Sequence, residues 1–213
     1  GGLRLAAIGV VAAVALGGAG QVDAGAFRLT VADVGQGLAA VVETDSHVLV
    51  FDAGPRWRGG AAAARVSLVP LLRARGIRRV DRLVASHDDA DHAGGVETLA
   101  RSLAVARMMA APGSRLDSAE TCVAGTAWTW DGVLFRVVHP PAGFTGSDND
   151  RSCAILVAGA GGTALLLADP ESAAEESIAA AGVAADVVLL PHHGSRSSSS
   201  AALVGAARAP IGV

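Results

Sequence analysis

The sequence predicts an α/β fold in which two stacked sheets lie between helices, a four-layer sandwich. Three observations point there: strand-like runs cluster in both halves, helical stretches interleave with them, and no repeat of solenoid period recurs along the 213 residues. The length suits one large domain, or a domain with an appendage.

Residues 3–20, LRLAAIGVVAAVALGGAG, carry Arg4 as their only charge. They are at the short limit for a bilayer of about 30 Å, and three readings stand: the end of a transmembrane helix, a signal-peptide core, or a buried helix. Residues 1–20 are therefore set apart from a domain over 21–213. The first residue is Gly and the closing RAPIGV breaks off in what reads as a strand, so the chain is expected to be a segment of something longer, its domain truncated at the C-terminus.

FRLTVADV (27–34) alternates apolar and polar, GQG interrupts it, and LAAVVET and HVLVFDA follow around Asp45-Ser46, which reads as a β-meander. GPRWRGG leads into AAAARVSLVPLLRARG, a predicted helix ending at Gly76 and kinked at Pro70. DRLVASH (81–87) is a short buried strand, and GGVETLARSL is a helix. WTWDGVLFRVVHP is a hairpin turning at Asp131-Gly132, and SCAILVAGAGGTALLLAD a second one turning at Gly161-Gly162. A helix over 171–181, a buried strand DVVLLP (186–191), and a serine-capped helix in SSSSAALVGAA complete the reading.

Composition is 51% hydrophobic and 17% charged, all positive charge is Arg, and the net charge is −3. With no global basic field, a nucleic-acid partner would need a local Arg patch or metal ions. Cys122 and Cys153 stand outside any C-x-x-C spacing, which argues against a cysteine zinc site. Two buried thiols and a disulfide between neighbouring strands both stay open, and the disulfide would place the domain outside the cytoplasm.

Charge and imidazole gather in SHDDADH (86–92), in a strand-to-helix loop of the kind that commonly carries ligands. His87, Asp89, Asp91 and His92 form H-x-D-x-D-H. At this spacing His87 and Asp89 can share one metal, while Asp91 and His92 are offset toward a second. A solvated acidic loop would explain the aspartates but not the flanking imidazoles. Asp169 ends LLLAD and His192 and His193 follow DVVLLP, so three strand ends converge on ligand chemistry. Asp88 falls outside the ligand spacing and reads as a bystander that tolerates mutation. His47 and His139 take an ordinary structural reading.

DVGQG (33–37), FDAG, SHDDADHAGG, NDRS (149–152), LLLAD and PHHGSRSSS together resemble the metallo-β-lactamase superfamily. More narrowly, they are similar to the soluble domain of the ComEC family, the membrane channel proteins of bacterial DNA uptake, over roughly residues 27–205. The resemblance implies a metallo-β-lactamase-like αββα sandwich and a centre of two divalent ions, Mn²⁺ or Zn²⁺, with the oxygen-rich Asp89 position moving the preference toward Mn²⁺. It implies a hydrolase that cleaves DNA phosphodiesters during uptake in natural competence. The metal ligands implied are His87, Asp89, Asp91, His92, Asp169 and His192. Asp91 and His193 are the implied catalytic residues, and Asp33, Gln36, Asp52, Asn149, Ser195 and Arg196 support the ligands or substrate.

The implied partners are DNA, as a single strand or the strand being degraded, the channel portion of the same longer chain, and other competence proteins. The implied location is the bacterial inner membrane, with the soluble domain on the periplasmic or outer side. Two departures from the family's pattern are Leu38 after DVGQG, where an acidic residue is common, and Ala168 before Asp169, where Gly is usual.

For DNA contact, Arg73, Arg75, Arg78, Arg79 and Arg82 cluster, and Arg56 and Arg58 flank Trp57. A solvated helix end is the plainer account of the cluster. For the serine run after HHG, helix capping and a phosphate grip weigh equally. The function alternatives are a non-catalytic DNA-guiding domain of the channel, or a metallo-hydrolase of small phosphodiesters, thioesters or lactams.

Overall fold

The computed structural model describes residues 20–194 and 198–213. The expected membrane segment up to residue 19, together with Ser195 and Arg196, lies outside the described residues, as does the His193 side chain. Among the described residues no helix is long and apolar enough to cross a membrane.

The first half forms a six-stranded sheet in chain order: β1 (Arg28–Val31), β2 (Ala40–Glu43), β3 (Val48–Phe51), β4 (Arg79–Ala85), β5 (Ala104–Ala110) and β6 (Glu120–Thr121). The first three strands are antiparallel, and the pairings from β3 to β6 are parallel. Parallel pairing needs crossovers, which α1 (Val69–Ala74) and α2 (Val96–Ser102) supply. The second half builds β7 (Ala127–Trp130), β8 (Val133–His139), β9 (Ala154–Gly159), β10 (Gly162–Leu166), β11 (Val187–Val188) and β12 (Ile211–Gly212), ordered β12-β11-β10-β9-β8-β7. Its helices are α3 (Ser172–Ala180) and α4 (Ala201–Ala207).

Alternate residues along each central strand feed different cores, so both strand faces are apolar. Val42, Leu49, Phe51 and Val84 of the first sheet meet Phe135, Val137, Ile155 and Leu166 of the second, between the sheets. Val41, Val50 and Leu83 turn the other way onto Leu68, Leu72, Val96 and Leu99, beneath α1 and α2. Val138, Leu165 and Leu167 pack on Ile178 and Leu203, beneath α3 and α4. Each fully buried Phe or Leu stabilises this arrangement by about 1.5–3 kcal/mol. The four-layer sandwich expected from sequence is the architecture observed.

Two details differ from the reading of the sequence, and a third decides between alternatives it left open. The helix read over 61–76 is a π-helical turn, Ala64–Leu68, followed by α1, whose first turn holds Pro70. A proline has no N–H to donate, which is harmless in a first turn, so the ring starts α1 instead of kinking a longer helix. β5 was not anticipated, because AVARMMA mixes Arg107 into an Ala- and Met-rich run without clean alternation. Cys122 and Cys153, both fully buried, are joined as a disulfide with Cα atoms 6.0 Å apart, linking the segment after β6 to the start of β9.

Candidate metal centre

Four strand ends meet at one rim of the sandwich. β3 runs into Asp52, β4 into Ser86 and His87, β10 toward Asp169, and β11 toward His192. The two sheets are tied there by the Cys153 amide, which donates to the Ser86 carbonyl at 2.9 Å.

His87, His92 and Asp169 each offer one ligand atom, and these atoms lie within 4.8 Å of one another. All three residues are buried. His92 Nε2 stands 3.3 Å from Asp169 Oδ1, and the two imidazoles are 4.3 Å apart between ring centres. The His87 Nε2 atom is buried without a hydrogen-bond partner. A buried ring nitrogen in that state costs free energy unless something binds its lone pair. The residues therefore fit a divalent ion: two imidazole nitrogens and a carboxylate converge from both sheets.

Asp52 fixes how the imidazoles face. Its carboxylate is fully buried and accepts from the Ser86 amide at 2.7 Å, the Ser86 hydroxyl at 2.7 Å and His92 Nδ1 at 2.8 Å. The Ser86 hydroxyl has one proton and gives it to Asp52, so its oxygen accepts from His87 Nδ1 at 2.9 Å. Both rings are then protonated at Nδ1, and both Nε2 atoms face the candidate metal position, that of His92 against Asp169. Asp52 has φ +57, a left-handed conformation that Asp tolerates and a β-branched residue resists.

Burial alone would lower the His92 pKa, but the hydrogen bonds and charges of Asp169 and Asp52 outweigh it and raise it to about 10. Without metal, the proton between His92 and Asp169 thus offsets one of the two carboxylate charges. A cation binding there must displace it.

The remaining expected residues are spread around this core. Asp89 Oδ2 is 3.6 Å from His87 Nε2, with a side chain 56% exposed. Asp91 Oδ2 is 4.0 Å from His92 Nε2, with a side chain 32% exposed. The His192 amide donates to the Ala168 carbonyl at 3.0 Å, setting its backbone beside the Asp169 loop. Asn149 lies half-buried in the 3-10 turn Asn149–Arg151, just before Cys153. Asp33 and Gln36 are exposed, and the Asp33 carboxylate accepts from the Gly35 amide at 3.1 Å.

The DVGQG loop reaches the centre through its backbone. A Cβ at Gly37 would fall 2.3 Å from the Asp91 carbonyl, which also accepts from the Leu38 amide at 3.2 Å. Leu38 turns its side chain to the inter-sheet core. Ala168 fits as a buried member of that core.

Two residues carry more than the sequence reading gave them. Asp88 accepts from the Ser114 hydroxyl and the Arg115 amide, pinning the loop after β5 to the site loop. Ser152, the last residue of NDRS, has a buried hydroxyl without a hydrogen-bond partner, one residue from the Cys153 link to Ser86. A serine beside a buried cysteine gives no sequence signal for this. His47 and His139 are structural: His47 bonds Asp131 and stacks on Trp130, and His139 bonds the Asp150 carbonyl, its pKa lowered by burial.

Comparison with known proteins agrees with this geometry. The chain is 35% identical over 141 residues to Recombination protein 2 of Haemophilus influenzae, a match covering 64% of this chain and 17% of that protein. It is 39% identical over 137 residues to Competence protein ComA of Neisseria gonorrhoeae, covering 64% and 19%. The chain thus spans less than a fifth of the length of the curated relatives it matches. Among solved structures, a B3 metallo-β-lactamase with an active-site glutamic acid superposes with a TM-score of 0.58 at 15% identity, covering 80% of each chain. MIM-1 from Novosphingobium pentaromativorans gives 0.55 at 13% identity over the same shares. The family model of the metallo-β-lactamase superfamily matches residues 32–213. With that match, the sandwich topology and the buried His-His-Asp centre in agreement, the chain belongs to the metallo-β-lactamase superfamily.

Proposed function

We propose that this chain is a metal-dependent phosphodiesterase that cleaves DNA as it is taken up across the bacterial inner membrane. The observation that carries the reading is the buried centre of His87, His92 and Asp169, oriented by Asp52 at the joint of the two sheets. The names of two relatives, for competence and recombination, support DNA as the substrate.

In this reading His87 and Asp89 would hold one divalent ion and Asp91 and His92 a second, with Asp169 and His192 completing the ligand set. Such ions, Mn²⁺ or Zn²⁺, supply Lewis acidity and activate water. The protein holds the imidazoles in one tautomer, excludes water from behind them, and keeps Asp89 and Asp91 at the open side, where a phosphate would approach. Asp91 also orients the attacking group, His193 is the other catalytic residue of this reading, and Asn149 supports the ligands or the substrate. The Cys122–Cys153 disulfide favours an oxidising compartment and so the periplasmic side. The channel portion of a longer chain and other competence proteins are the partners in this reading.

The test is cleavage of DNA by metal-free protein reloaded with Mn²⁺ or Zn²⁺, together with metal content by elemental analysis. His87→Ala and Asp169→Ala are expected to reduce cleavage by more than the ~10–100-fold that loss of an outer hydrogen-bond partner costs a metal site. Cleavage that survives in both variants sinks the proposal.

A further inference from the structure

The arginine clusters read from the sequence separate in the fold. Arg75 pairs with Glu43, Arg79 with Asp81, and Arg82 with Glu120 while lying 4.1 Å over the Trp128 ring. Those three are held in ion pairs. Arg73 and Arg78 instead line an open depression of about 460 Å³ with Arg101 and Ser102. A second depression, of about 650 Å³, is lined by Arg56, Arg65, Thr98, Arg101 and Ser102. The two share Arg101 and Ser102, at the C-terminal end of α2, so together they form a groove of two adjoining parts.

Five exposed arginines line this groove and no carboxylate does. Glu97 stands between two of them, 3.2 Å from Arg56 and 2.6 Å from Arg101. Arg65, Arg73 and Arg78 form no ion pair with any described carboxylate. A chain with net charge −3 has thus gathered five guanidinium groups on one face against a single carboxylate partner. The Arg73 side chain donates to the Ser102 carbonyl at 3.2 Å, covering a helix-end oxygen that would repel an anion.

One end of the groove reaches the metal loop. The Arg56 amide donates to the Ala90 carbonyl at 3.2 Å, one residue before Asp91. Next to it Trp57 is 45% exposed, on a loop closed by the Arg56–Ala62 bridge and followed by Arg58. An exposed indole beside a row of guanidinium groups is the composition of a single-strand binding surface, where bases stack and phosphates meet cations.

We propose that the outer face of α1 and α2 is a track for single-stranded DNA, with Trp57 stacking a base beside the metal loop and Arg65, Arg101, Arg73 and Arg78 following the phosphates away from it. The track rests on the reading of the chain as a DNA phosphodiesterase, and it names how that substrate is held. A strand carried this way crosses the site loop at its exposed Asp89–Asp91 side.

The experiment measures binding of a fluorescent oligothymidine to the full chain in chelator, where no cleavage occurs, by anisotropy across a salt series. Arg65→Ala/Arg73→Ala/Arg78→Ala is expected to reduce the slope of log affinity against log salt by about 2, since each single-strand phosphate contact contributes ~0.7. Trp57→Ala, on an exposed loop, is expected to weaken binding at least about fivefold, the low end for loss of one base–aromatic stack. Arg107→Ala, on β5 and away from the groove, is expected to leave the slope unchanged. Thermal midpoints confirm that each variant is folded.

Unchanged affinity and slope in both the triple and Trp57 variants would overturn the track, as would arginine-dependent binding to phosphatidylglycerol vesicles without oligonucleotide binding. Arginine-dependent oligonucleotide binding in a protein that does not cleave DNA when metal is restored would keep the track and remove the nuclease reading.

Discussion

A single carboxylate sets the proton inventory of the candidate metal centre. Asp52 touches His92 directly and His87 through Ser86, so one side chain fixes two tautomers. Asp52→Asn can still accept one hydrogen bond, but it removes the charge that holds His92 Nδ1 protonated. Metal affinity is expected to fall about 10–100-fold, measured by competition with a chromogenic chelator, with little change in fold. A variant that binds metal as tightly as the parent would separate Asp52 from the centre. The H-x-D-x-D-H spacing announced His87 and His92 in the sequence because imidazoles are scarce there, and Asp169 could be joined to them because it ends an apolar strand. The Asp52 relay was less legible: it depends on a left-handed residue at the end of β3 lying against β4. Asp33 and Gln36 were expected as supports, yet in the fold they are exposed and it is the glycine backbone of their loop that meets Asp91.

Two turns at the far side of the sandwich are bound by one residue. Asp131, between β7 and β8, accepts from the Thr44 hydroxyl at 2.6 Å, from the Ser46 amide and hydroxyl at 2.8 Å each, and from His47 Nδ1 at 3.0 Å. Burial alone would raise its pKa, but these hydrogen bonds outweigh it and hold the carboxyl well below the usual range. A depressed folded pKa contributes stability above the unfolded value of about 3.9, and the contribution is lost as pH falls through the folded value. Acid unfolding below about pH 4 is therefore expected to be shallower in Asp131→Asn than in the parent, followed by circular dichroism; identical acid profiles would refute the role. The Asp131-Gly132 dipeptide marked this hairpin in the sequence, since the turn needs positive φ at both residues. Its bond to the β2–β3 turn was not legible, because that contact spans more than eighty residues.

At the scale of the molecule, the halves are held by the inter-sheet core, the Asp131 turn, and the Cys122–Cys153 disulfide near the metal rim. The disulfide closes a loop with a sequence separation of 31, for which the chain-entropy model gives about 3–4 kcal/mol. Reduction is expected to lower the denaturant midpoint accordingly, with two thiols titrated in the unfolded reduced chain and none in the oxidised one. The sandwich was legible because strands buried on both faces and strands ending in ligand residues recurred in each half. The two-residue β6 was harder to read, since so short a strand exists through its neighbour and leaves almost no periodicity of its own, whereas β11 and β12, equally short, fall inside the strand-like DVVLLP and RAPIGV.

His87 and His92 belong to the first sheet's loops, and Asp169 follows a strand of the second. Synthesis must therefore pass residue 169, well into the second sheet, before these three ligand atoms can meet. A first sheet folded alone would carry two imidazoles of the candidate centre without the carboxylate that faces them, so the centre is a property of the seam and not of either sheet.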